Sequence, residues 1–203
     1  MHIGLDFDNT IIRYDDVFVA AAKERGLIPA GFRGSKQQVR DAIRLIDDGE
    51  ISWQKLQGYV YGAGIGGASM FEGLDAFLRR AKAVGVEVSI VSHKTEYGHY
   101  DPLRVNLREG ALGWMEAQGF FDPAVYGLSR ANVHFGATRE EKLDGIRASG
   151  VEVFIDDLEE VLDEPDFPAG VRKVLFSQHP VSGKPYPVYA SWAEISEAML
   201  VDA

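Results

Sequence analysis

The sequence predicts a three-layer α/β fold with a largely parallel sheet, interrupted near its start by a small helical insertion. Three observations carry this. Short apolar runs of strand character alternate with stretches of helical period, the pattern of a parallel sheet covered by helices on both faces. Runs such as "VEVFI" are almost continuously apolar, which suits strands buried on both sides. Residues 14 to 70 break the alternation, since they hold three helix-like segments and no convincing strand.

The first strand is "HIGL" at 2 to 5, and the insertion then contributes helix-like segments at 15 to 25, 35 to 48 and 50 to 61. The glycine-rich "GAGIGGAS" at 62 to 69 reads as a hinge returning the chain to the sheet. In "FEGLDAFLRRAKAVG", Phe71, Leu74, Phe77, Leu78, Ala81 and Val84 share one helical face, and Gly85 ends the helix. "VEVSIV" at 86 to 91 is the second strand, followed by a polar loop and a helix near 103 to 118. Thr138 with Glu141 marks a helix start that Gly150 ends, ahead of strands "VEVFI" at 151 to 155 and "VRKVLF" at 171 to 176. Ser191 with Glu194 opens a last helix in "SWAEISEAML". The expected division is a core of 1 to 13 and 71 to 203, with 14 to 70 as the insertion.

Composition narrows the function. With 203 residues and 46% hydrophobic content, the chain suits one domain of ordinary size with a small appendage. It has no apolar run of about 18 residues and no basic region leading into an apolar stretch at its start, so a cytoplasmic protein is expected. Without cysteine it has no thiolate nucleophile and no Cys-based zinc or iron-sulfur site. A formal charge of −10 repels nucleic acid and anionic membranes, so neither is an expected partner.

Gly62, Gly64 and Gly67 satisfy G-x-G-x-x-G, but only Tyr59 to Tyr61 precede them and these continue a helical pattern. A hinge is favoured over a dinucleotide loop. The stronger signal lies where the strands stop, because ligands of open parallel sheets bind beyond the carboxyl ends of the strands. Strand one stops at Asp6, Asp8 and Thr10; "VEVSIV" stops at Ser92; "VEVFI" stops at Asp156 and Asp157; and Lys142 opens the helix after "VHFG". Each alone has an ordinary reading, as a helix cap, an acidic first turn or a surface lysine. Together they suit phosphoryl transfer, in which a carboxylate attacks a phosphate held by Mg2+ and hydrogen-bond donors.

"LDFDNT", "IVS", Lys142 in "REEKL" and "FIDD" resemble, in order, the four motifs of the haloacid dehalogenase superfamily. The resemblance covers roughly 1 to 12, 71 to 92 and 133 to 176. It implies a Rossmann-like core, an aspartyl-phosphate nucleophile at Asp6 and an acid and base at Asp8. Mg2+ is then held by the Asp6 carboxylate, the Asp8 carbonyl and Asp156 with Asp157 in support, while Ser92 and Lys142 hold phosphoryl oxygens. Asp8 separates phosphatases and phosphomutases from the family's dehalogenases, which lack this acid. Residues 14 to 70 look like the family's small helical cap, which implies a small phosphorylated substrate. Where the family often has Asn after the motif-two hydroxyl, this chain has His93 and Lys94.

The loop "SHKTEYGHYDPLRVNLR" is either a solvated connection or a substrate reader, with Thr10, His93 and Lys94 as candidate contacts and His99 and Arg104 further out. A second metal site from His93, His99 and Asp101 is a weaker possibility. His2, His134, His179, Trp53, Trp114 and Trp192 are read as structural. The expected activity is a Mg2+-dependent phosphatase. The rivals are a phosphomutase or phosphotransferase with the same site, a receiver-like phospho-switch, and a catalytically idle phosphate-binding module. Oligomeric state is left open.

Overall fold

The computed structural model describes residues 1–101 and 103–200, so Pro102 in the polar loop and the last three positions of the expected core lie outside the described residues. The chain runs through β1 (His2–Leu5), β2 (Ile12–Arg13), α1 (Asp15–Glu24), α2 (Lys36–Ile43), α3 (Gly49–Tyr61) and β3 (Ser69–Met70). It continues with α4 (Leu74–Ala83), β4 (Glu87–His93), α5 (Leu107–Ala117), β5 (Val133–Gly136) and α6 (Arg139–Ser149). The remainder is β6 (Val153–Asp156), α7 (Glu159–Leu162), β7 (Arg172–Phe176), β8 (Val188–Tyr189) and α8 (Trp192–Met199).

Six strands form one sheet in the order β5-β4-β1-β6-β7-β8, each pair parallel. Leu5 of β1 lies between Ile90 of β4 and Ile155 of β6, which makes β1 central. The winding reverses between β1 and β6, and this reversal opens the crevice where doubly wound sheets bind ligands. One face of the sheet packs Val91, Phe154 and Leu175 against Leu143 and Ile146 of α6 and Val161 and Leu162 of α7. On α4 and α8, Phe77 and Trp192 pack with ring centroids 4.8 Å apart, and Phe176 of β7 lies 5.6 Å from Trp192. The three expected layers follow from these two apolar faces.

The chain divides into two compact units. One contains Met1–Ile12, Met70–Lys94 and the residues from Gln118 onward; the other contains Arg13–Ser69 and Thr95–Ala117. The helical unit is therefore larger than the expected insertion by the segment carrying α5, which the sequence reading had assigned to the core. Packing explains the difference. Leu107, Ala111, Trp114 and Met115 form the buried face of α5, and Trp114 Nε1 donates to the Ala68 carbonyl at 3.1 Å. Gly58 and Gly98 approach so closely that a Cβ on Gly98 would stand 2.7 Å from the Gly58 Cα. Within this unit Phe18 stacks on Trp53 at 5.0 Å and Tyr14 meets Tyr61 edge-on at 4.9 Å.

The glycine triplet lies at the end of α3, where Gly62 is the cap, and leads through a 3-10 turn at Ile65–Gly67 into β3. A dinucleotide fingerprint needs a strand before it and a helix directly after, and neither is present. Thr138 and Ser191 cap α6 and α8 as expected, accepting from Glu141 N at 3.1 Å and Glu194 N at 3.2 Å. The reciprocal bonds fall one residue earlier than in a capping box, from Ala137 N and Ala190 N. A complete box forms instead at Ser35 and Gln38. No helix among the described residues is long and apolar enough to cross a membrane.

Candidate active site

The first strand sets the site. Asp6 continues the β1 pairing by donating its N–H to Ile155 at 2.9 Å, which fixes its backbone at the sheet's carboxyl edge. The chain then folds over itself. Ile11 and Ile12 both donate to the Phe7 carbonyl, and Asn9 takes a left-handed φ of 61°, a conformation that Asn tolerates better than most residues. Thr10 is buried in this turn, its carbonyl accepting from Trp192 Nε1 at 3.1 Å and its hydroxyl a long 3.5 Å from Asp157 Oδ1.

Three carboxylates converge beyond β1 and β6. Asp6, Asp156 and Asp157 each offer an oxygen within 4.8 Å of the others, an all-oxygen set that suits a hard cation. Lys142, 1% exposed, bonds Asp6 Oδ1 and Asp156 Oδ2 at 2.6 Å each, and Leu158 N holds the other Asp156 oxygen at 2.9 Å. Gly136 makes this geometry possible. A Cβ there would lie 2.7 Å from the Lys142 amide nitrogen and 2.9 Å from the Glu141 carbonyl carbon, so only glycine lets β5 run so close to α6.

Burial pushes the Asp6 carboxyl well above its ordinary range; Lys142 opposes the rise, and Asp156, Asp157 and Asp8 add to it. For Lys142 burial acts downward, but Asp156 and Asp6 outweigh it and hold the ammonium above the usual lysine range. Lysine therefore stays charged beside Asp6 and Asp156.

Ser92, at the carboxyl end of β4, is 1% exposed, and its hydroxyl has no hydrogen-bond partner among the described residues. A buried unpartnered hydroxyl carries a desolvation cost that a bound ligand would remove. The two residues after it behave differently from each other. His93 is exposed, with its ring nitrogen 3.0 Å from the Ala137 carbonyl. Lys94 is buried and donates to both oxygens of Asp8, at 3.0 and 2.8 Å.

Asp6, Lys142, Asp156, Asp157 and Thr10 thus meet in one cluster, and Asp8 is joined to Lys94 beside it. Lys94, a candidate substrate contact, is bonded to Asp8. Period two in a strand places Ser92 and Lys94 on the same face, and that was the available sequence signal. Asp101, a candidate for a second metal site, spends its two oxygens on Leu103 N and Val105 N. Gly136 and the Leu158 amide, both needed to hold the cluster, carried no sequence mark beyond a glycine at the end of "VHFG".

No protein-family model matches the sequence, and no curated protein matches it. Solved structures do. A haloacid dehalogenase-family hydrolase from Deinococcus radiodurans with bound phosphate and sodium has 16% identity and a TM-score of 0.59, covering 99% of this chain and 97% of that one. A haloacid dehalogenase-like protein from Streptococcus pneumoniae has 13% identity and a TM-score of 0.60, covering 97% of both chains. CbbY from Rhodobacter sphaeroides in complex with phosphate has 13% identity and a TM-score of 0.53, covering 96% and 95%. Likeness at such identities is a likeness of fold, and it spans nearly the whole chain. The chain has the fold of the haloacid dehalogenase-like hydrolases.

Proposed function

We propose that this protein is a Mg2+-dependent phosphatase that hydrolyses a small phosphorylated metabolite through an aspartyl phosphate at Asp6. One observation carries the reading: the site is incomplete in two complementary ways. Asp6, Asp156 and Asp157 crowd together with Lys142 bonded to Asp6 and Asp156, and the Ser92 hydroxyl has no acceptor among the described residues. A divalent cation would be a shared partner for the clustered carboxylate oxygens, and a phosphoryl group would give the Ser92 hydroxyl an acceptor. Two of the similar structures hold phosphate, which supports the same reading.

The Asp6 carboxylate, the Asp8 carbonyl, Asp156 and Asp157 would hold Mg2+. When bound it neutralises the acids and polarises the phosphoryl oxygens. Lys142 and Ser92 direct N–H and O–H donors at the same oxygens. An Asp6 oxygen attacks phosphorus, the bond from phosphorus to the leaving oxygen breaks, and Asp8 gives that oxygen a proton. Asp8 then takes a proton from water as the water oxygen attacks phosphorus, and the bond to Asp6 breaks to release phosphate and restore the carboxylate. The formal charge of −10 argues for a small substrate rather than nucleic acid or a membrane surface.

Release of phosphate from aryl and sugar phosphates, measured with and without Mg2+, tests this. Asp6→Asn is expected to abolish the Mg2+-dependent rate while the protein stays folded. An undiminished rate overturns the assignment of Asp6, and return of an isomerised hexose phosphate instead of free phosphate would make the enzyme a mutase.

A further inference from the structure

Lys94 is a costly residue to place where it stands. Its side chain is 2% exposed, yet it carries a full charge, and its partner Asp8 is 23% exposed. Burying an ion pair gives little net stability compared with apolar residues of similar volume, so stability alone does not account for this lysine. Its position is also tightly held. The Lys94 amide donates to the Gly136 carbonyl at 2.8 Å, extending the pairing of β4 with β5, and the ammonium lies 5.5 Å from the centre of the Phe7 ring. From that fixed base Nζ reaches both Asp8 oxygens, at 3.0 and 2.8 Å.

We infer that Lys94 is the positioning residue for Asp8, fixing the carboxyl group that exchanges protons with the leaving oxygen and with water. The inference rests on the phosphatase reading. Two hydrogen bonds from one ammonium, one to each carboxylate oxygen, fix the plane of the Asp8 group. Asp8 lies just outside the regular strand, where a bridge to Ile12 holds its backbone and the two hydrogen bonds from the buried lysine hold its side chain. Misplacement of a reacting group by about 1 Å costs on the order of 100-fold in rate.

The test compares two leaving groups. An alkyl phosphate leaves as a strongly basic oxygen and needs the Asp8 proton, whereas an aryl phosphate with a weakly basic leaving oxygen needs it little. kcat/KM reports the first phosphoryl transfer for each. Lys94→Met is expected to lower kcat/KM for a sugar or glycerol phosphate by roughly 30- to 100-fold and for p-nitrophenyl phosphate by less than about 5-fold. Lys94→Arg, which retains a two-donor fork, is expected to recover most of the loss. If Lys94→Met does not fold, Lys94→Gln, an uncharged amide on a shorter stem, reads the same contrast.

An equal fall for both substrates would mean that Lys94 serves the fold or binds phosphate directly, and would overturn the inference. Unchanged values for both would overturn it as well. Failure of the wild-type protein to release phosphate from either substrate is a different result: it removes the phosphatase reading, and this inference with it.

Discussion

Replacing Lys142 by methionine keeps the length of the side chain and removes its charge. The ammonium makes two contacts of 2.6 Å, to Asp6 and Asp156. At an effective dielectric of about 20, each contact has a gross Coulomb energy of about 6 kcal/mol, most of which is offset by the desolvation of three buried groups. The measured cost of removing one partner from a buried pair is about 3–5 kcal/mol, because the remaining charges stay buried without compensation. In urea, with a slope of about 2–3 kcal/mol per molar, this corresponds to a midpoint lowered by about 1–2.5 M. The assay is urea unfolding of wild type and Lys142→Met in chelator, repeated with excess Mg2+. Mg2+ is expected to stabilise the variant more than wild type, since the acids it meets are no longer neutralised by lysine. A loss below about 1 kcal/mol in chelator would refute the reasoning, as would a variant that Mg2+ fails to stabilise. The pH dependence adds a sign. The folded Lys142 pKa lies above the ordinary 10.5, so its stabilisation is complete below pH 10.5 and is lost as pH rises through the higher folded value. Lys142→Met is expected to lack that alkaline component.

Ser92→Ala removes a buried hydroxyl that has no partner among the described residues, so urea unfolding is expected to show unchanged or slightly higher stability, within about 1 kcal/mol. The same variant should gain less thermal stability than wild type from added inorganic phosphate. Gly136→Ala drives a Cβ into the backbone of α6 and is expected to cost about 1–3 kcal/mol and to lower activity by displacing Lys142; unfolding and turnover measured together check this. Asp6→Asn should be more stable than wild type in chelator at neutral pH. Because folding raises the Asp6 pKa, the folded chain binds the proton more tightly than the unfolded chain, and stability falls as pH rises from 3.8 through the folded value. A less stable Asp6→Asn under those conditions would contradict that direction.

The strand ends were the legible part of this sequence. Asp6, Ser92, Lys142 and Asp156 each stand where an apolar run stops or a helix opens, and a parallel sheet gathers such positions at one edge. Period and capping located β1, β4, β6, β7 and most helices, because each buries a continuous face. The two-residue strands β2, β3 and β8, and the four-residue α7, were missed because they are too short to show a period. The segment 95 to 117 lies within the expected core, but its packing depends on contacts between small residues such as Gly58 and Gly98, distant in sequence. The pairing of Lys94 with Asp8 was hidden for a similar reason: it joins residues 86 positions apart through a turn whose direction is set by the left-handed Asn9.

The central claim is that Asp6 carries the phosphoryl group in mid-reaction. Acid quenching of the protein during turnover of a substrate labelled in its phosphoryl group, with Mg2+ present, tests it most directly. The account predicts label on the peptide containing Asp6, absent in Asp6→Asn and accumulating in Asp8→Asn. Phosphate released with no labelled protein in either wild type or Asp8→Asn, or label on a different residue, would contradict it.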